Sequence, residues 1–190
     1  MKGAIITIEN HIVPEEIQYS ENVNMRYEIG DCVIHKSFGV GYIVALVEKQ
    51  IFENEARLYY EVQLEKATVW VPVDSDDPSP FRLLTNEDEL AQYRRILTSK
   101  PKPLNDNFRA RFSSVDLRLR EGSLEAICEI VRDLTAREHV KHLSRGDLSR
   151  LQIAKDTLCK EWSASKDISL ADAQQEIEAL LQEGIRKNFD

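Results

Sequence analysis

The chain has 190 residues, 31% of them charged and 42% hydrophobic. That allows one or two packed domains and excludes a wholly disordered chain. No apolar run approaches the roughly 18 residues of a membrane span, and the short apolar patch from Ala4 is too brief for a secretory leader. With 25 Lys and Arg against 33 Asp and Glu the net charge is −8, so any polyanion partner needs a local cationic patch.

Residues 1–26 form an extension of undefined role. Ile5, Ile6 and Ile8 hint at a short strand, and Pro14 to Asn24 reads as polar linker. From Tyr27 the pattern becomes β. Cys32-Val33-Ile34 follows Gly30-Asp31, and Val40 to Val47 is an apolar run entered through Gly39 and containing Gly41. Tyr60, Val62 and Leu64 alternate with Glu61, Gln63 and Glu65; Val69, Val71 and Val73 alternate with Thr68, Trp70 and Pro72. Period-two alternation places one set on a core face. Four or five short strands within 27–84 predict a small, strongly bent barrel, with Gly39 and Gly41 permitting the bends.

Asp74 to Pro80 is a turn-rich boundary. Asp74, Asp76 and Asp77 resemble the start of a calcium loop, but Pro78 and Pro80 stand in its continuation, which favours turn chemistry. Helical signals occupy 85–190. Thr85 with Asp88, Ser144 with Asp147 and Ser169 with Asp172 have capping-box spacing. Leu124, Ile127, Cys128, Val131 and Leu134 form one apolar stripe; Leu148, Leu151, Ala154, Leu158 and Trp162 form another; Leu170, Ala173, Ile177, Leu180 and Leu181 form a third. Pro101 and Pro103 break the chain between the helix from Thr85 and the next. The expected class is α+β: a β-barrel followed by an all-α domain of about five helices.

Charge is unevenly placed in that helical half. Arg94, Arg95, Lys100, Lys102, Arg109, Arg111, Arg118 and Arg120 stand against Asp106 and Asp116 alone, a local net of 8 − 2 = +6. Arg94 and Arg95 are read as solvated surface, and Arg118 and Arg120 as complements to a helix C-terminal dipole. Phe108, Phe112, Val115 and Leu119 share one helical face. Core packing accounts for the last three, whereas Phe108, in the first turn beside Asn107 and Arg109, fits either core or an exposed contact. Such a ring could stack on or wedge between bases while cations hold phosphates. Trp70 lies opposite the valine face and reads as a cover for the domain junction or as an anchor for a protein partner. His139 and His142 lack a third ligand, so no metal is expected, and no motif calls for a cofactor. Three widely spaced cysteines, Cys32, Cys128 and Cys159, suit buried thiols in a reducing cytoplasm. Neither a phosphate-binding loop nor a nucleophile elbow argues for an enzyme.

Several segments together resemble the CarD-like (CdnL-type) family of bacterial transcription regulators. Ile29-Gly30-Asp31-Cys32-Val33-Ile34-His35 with Phe38-Gly39-Val40-Gly41 is similar to the start of that family's N-terminal domain, and Val69-Trp70-Val71-Pro72-Val73 to its last barrel strand. Asn107-Phe108-Arg109-Ala110-Arg111-Phe112 resembles its DNA-contacting helix start. Glu129-Ile130-Val131-Arg132-Asp133-Leu134 and Leu143-Ser144-Arg145-Gly146 resemble its helical core signatures. The resemblance covers about residues 27–165, and Met25 sits where such proteins usually begin.

The resemblance implies a Tudor-like domain over 27–84 that binds the RNA polymerase β subunit, and a helical domain over 85–190 that contacts promoter DNA at the upstream edge of the bubble and stabilises the open complex. It implies a monomeric cytoplasmic regulator, not an enzyme; the related translocase that shares the first domain carries a helicase motor not seen in this sequence. The residues implied at DNA are Phe108, Asn107, Arg109 and Arg111, and those at polymerase are Lys49 and Trp70. The chain also departs from the family. Phe108 stands where a wedge tryptophan is usual, Trp70 where an arginine often faces polymerase, Ala110 where an arginine is common, and Leu148 and Ser149 where relatives tend to be basic. Fewer cations mean fewer phosphate contacts. The alternative is a protein–protein adaptor on polymerase, or on another partner, that does not touch DNA.

Overall fold

The computed structural model describes residues 26–35, 38–50, 56–74 and 81–189. The expected strand at Ile5–Ile8, the linker to Asn24 and most of the Asp74–Pro80 turn lie outside the described residues.

Among the described residues five strands follow one another: β1 (Cys32–His35), β2 (Gly39–Lys49), β3 (Arg57–Leu64), β4 (Thr68–Pro72) and β5 (Phe81–Leu83). They form one antiparallel sheet in the order β4-β3-β2-β1-β5. The alternating residues do what their period predicts. Val33, Ile43, Tyr60, Val62, Leu64, Val71 and Phe81 bury together as one core. Tyr27 closes it, its ring 4.6 Å from Phe81 and 5.7 Å from Tyr60. At Gly41, β2 crosses β3 so closely that a Cβ would lie 2.8 Å from Leu64 Cδ2 and 2.9 Å from Val62 Cγ1, which only glycine permits.

Among the described residues five helices build a second core: α1 (Leu90–Thr98), α2 (Phe108–Glu121), α3 (Leu124–Val140), α4 (Arg145–Lys166) and α5 (Leu170–Phe189). α3 is the central element. Its predicted stripe, Leu124 to Leu134, is fully buried against Leu90 and Leu97 of α1, Leu151, Leu158 and Trp162 of α4, and Ile177 and Leu181 of α5. Two stripe positions fail at their first member: Leu148 and Leu170 are exposed. Leu170 is the first residue of its helix, and Leu148 lies on the flank of the α4 face that buries Asp147, Leu151, Ala154 and Leu158.

Ser144 and Ser169 cap α4 and α5 as expected, accepting the backbone N–H of Asp147 and Asp172 at 3.2 and 3.1 Å. Thr85 does not cap α1. The reciprocal box is one residue later, where Asn86 Oδ1 accepts from Glu89 N at 2.9 Å and Glu89 Oε2 accepts from Asn86 N at 3.3 Å. The Thr85 hydroxyl is buried and donates to Glu161 on α4 instead. The Arg132–Asp133 pair inside α3 pins the proline segment: Asp133 Oδ1 accepts Lys102 N at 2.9 Å and Arg132 Nη1 donates to Ser99 Oγ at 2.9 Å. Of the three cysteines only Cys128 is buried; Cys32 and Cys159 are half-buried, and all three are free thiols. No helix among the described residues is long and apolar enough to cross a membrane.

Candidate functional site

Asn107 has extended backbone (φ −66°, ψ 120°) and caps α2, its Oδ1 accepting from Ala110 N at 3.2 Å. That cap fixes where the helix begins and hence where Phe108 points. The Phe108 ring is 45% exposed. Its inner edge rests on Phe112, 5.6 Å between centroids, and on the first turn of α4. There a Cβ on Gly146 would stand only 3.3 Å from Phe108 Cζ, so the glycine lets the ring sit close against the helix. The result is a ring held from below and open above, at a corner where the starts of α2 and α4 meet. Arg109 and Arg145 are exposed at the same corner, and among the described residues neither has an ion-pair partner.

Arg111 corrects the sequence expectation. It is 5% exposed and points inward. Its Nε and Nη2 donate to the Asp147 carboxylate at 3.1 and 2.8 Å, and its Nη1 donates to the carbonyls of Asn105 and Asp106 at 2.7 and 3.1 Å. Its donors are thus committed, and a phosphate contact would require breaking a buried pair. Burial alone would raise the Asp147 carboxyl, but hydrogen bonds from Arg111 and Ser144 outweigh it and hold the group below the ordinary carboxylate value. Arg111 is the brace of the corner.

The wider basic patch is largely internal. Arg94 pairs with Glu176 at 2.7 Å, Lys102 with Glu129, Arg118 with Glu129 at 2.8 Å and Arg120 with Asp116 at 2.7 Å. With Arg111, five of its eight cations therefore face a carboxylate. Arg95, Lys100 and Arg109 remain without such a partner among the described residues. The sequence signal for this was faint: apart from Asp116, the balancing acids lie outside the patch, on α3, α4 and α5.

The structure brings Lys49 and Trp70 together. Lys49, at the end of β2, places Nζ 3.5 Å from the centre of the Trp70 ring on β4. Trp70 Nε1 donates to Glu61 Oε2 at 2.9 Å from the paired position on β3. The ring points outward because its neighbours Val69 and Val71 face the core, and it remains 41% exposed. Its polar contacts are to Lys49 and Glu61, both within the sheet, rather than to the helices across the junction. Glu61 was missed in the sequence, where it reads as one more polar strand position. Among the described residues no group of three or more His, Cys, Asp or Glu could hold a metal ion, and His139 instead stands 5.5 Å from the Phe189 ring.

The sequence matches the CarD-like/TRCF RID domain over residues 27–78 and the CarD C-terminal domain over residues 93–178. A relative from Bacillus subtilis (strain 168), named "Putative transcription factor YdeB", is 24% identical over 144 residues, covering 75% of this chain and 94% of its own length.

Proposed function

Because the chain belongs to the CarD-like family, we propose that it regulates transcription by docking its sheet on the RNA polymerase β subunit and its helical corner on promoter DNA. The RID-domain match and the transcription-factor name of the relative support the polymerase-interacting half. The outward Trp70, held between Lys49 and Glu61, supports the sheet as the docking face, since preorganised aromatics dominate protein interfaces.

The observation that carries the DNA half is the placement of Phe108. An apolar ring is held open to solvent at a joint helix corner with Arg109 beside it. Backbone N–H groups and cations at helix starts suit phosphates. A rigid ring suits a partly unstacked base step. Phe108 enters the minor groove at the upstream edge of the bubble and Arg109 holds the adjacent backbone. Contacts made only with distorted duplex favour the open state, and a differential of about 1.4 kcal/mol raises its population about tenfold. Tethering through polymerase makes weak DNA affinity sufficient.

One observation favours the adaptor reading: five of the eight patch cations are internally paired. Titrating promoter DNA against salt separates the two. The DNA reading expects log K to fall linearly with log salt, with a shallow slope of a few phosphate contacts. The adaptor reading expects no measurable binding at any salt.

A further inference from the structure

Glu161 of α4 is 1% exposed, yet it lies on the apolar face between Leu158 and Trp162. Its partners come from the other half of the molecule. Arg82 of β5 donates Nη1 to Oε1 at 2.6 Å and Nη2 to Oε2 at 2.8 Å, and the Thr85 hydroxyl donates to Oε1 at 2.8 Å. One buried carboxylate thus receives three hydrogen bonds from the segment that leads out of the sheet into α1. A two-pronged guanidinium–carboxylate contact fixes orientation as well as distance.

Other contacts cross the junction too. Lys160 reaches Glu65 at 2.8 Å, but that pair is exposed and weak. Among the helices α4 is the one that packs chiefly on the sheet, through β2. Beside the contact lies an open cleft of about 310 Å³, with Phe38 and Val40 on one wall and Leu119, Ile127 and Ile153 on the other. The buried fork and the α4–β2 packing thus border an open cleft between the two halves.

Resting on the reading above, we propose that Glu161 is a positioning residue: by gripping Arg82 and Thr85 it sets the angle at which a polymerase-docked sheet presents Phe108 to DNA. A tether raises local concentration only where both sites can engage at once, so the angle decides how much of it is useful. With the grip released, residues 84–89 become a hinge and the corner samples many directions.

Residual dipolar couplings of the full 15N-labelled chain report the angle. The wild type fits one alignment tensor across both halves; Glu161→Gln requires two, with amide shifts away from the junction unchanged. The same variant retains its affinity for the isolated β subunit, and the open-complex lifetime conferred by the wild type falls about tenfold. A single tensor for the variant overturns the proposal, as do two tensors with an undiminished lifetime. If Glu161→Gln does not fold, Arg82→Lys, which keeps the charge but loses the fork, is judged by the same two readouts. Failure of the DNA-wedge reading shows separately, as an unaltered lifetime with Phe108→Ala, and leaves the tensors to decide the angle.

Discussion

Arg111 lies 5.9 Å from the Phe108 ring and Lys49 lies 3.5 Å from the Trp70 ring, so two regions of the molecule pair a cation with an aromatic. At the helix corner the cation turns inward to Asp147 and leaves the ring to meet solvent. On the sheet the cation covers the ring and both face outward. The chemistry is similar and the roles are opposite. What decides is whether a carboxylate waits beneath: α4 supplies a buried Asp147 under Arg111, whereas Glu61 near Lys49 sits at the surface and takes the indole N–H. A cation count marks both regions as candidate contacts, but only the location of the counter-charge tells brace from platform.

The sharpest way to break this contrast is Arg111→Ala. Removing it leaves Asp147 buried and unpaired, and stability falls by about 3–5 kcal/mol in equilibrium denaturation. Arg109→Ala, two residues away and exposed, changes stability by less than about 0.5 kcal/mol. Equal effects would erase the distinction. Next in size, Trp70→Ala weakens binding to the β subunit by about 2 kcal/mol in calorimetry, the scale of an interface anchor; wild-type affinity would move the docking face elsewhere.

Acid sharpens the brace further. Asp147 has a folded-state value depressed below its unfolded one, so its contribution to stability is complete above the ordinary carboxylate range and is lost as pH falls through the folded value. Glu129 and Glu176 shift the same way: burial raises them, but the cations that pair with them outweigh it. The thermal midpoint of the wild type therefore drops as pH falls below about 4. Arg111→Ala has already lost part of this, and its acid limb is shallower. The smallest effect is that of Arg109→Ala on promoter binding, a reduction of the salt slope by about one with no change in sequence preference.

Much of the fold was legible because it rests on local pattern. The valine alternation, the α3 stripe and the Ser144 and Ser169 caps are written within a few residues and appear as expected. Thr85 has the spacing of a cap, but Glu161, 76 residues away, takes its hydroxyl, and no local rule foresees that. Arg111 likewise looked like a surface cation until α4 brought Asp147 to it. Glu161 did leave a trace: with Ala154, Leu158 and Trp162 it falls on one helical face, and a carboxylate on an apolar face demands a partner. The cation–ring contact of Lys49 and Trp70 depends on strand register across β2, β3 and β4, which alternation alone does not determine.

The central claim is that Phe108, braced by Arg111 and aimed by the fold, stabilises melted promoter DNA. The direct measurement is the lifetime of competitor-resistant open complexes on one promoter, with polymerase alone, with the wild type and with Phe108→Ala. Base contacts of this kind are worth roughly 1–3 kcal/mol. The account predicts that the wild type lengthens the lifetime and that Phe108→Ala, still bound to polymerase, loses most of that gain. An equal lifetime for the variant and the wild type would contradict it.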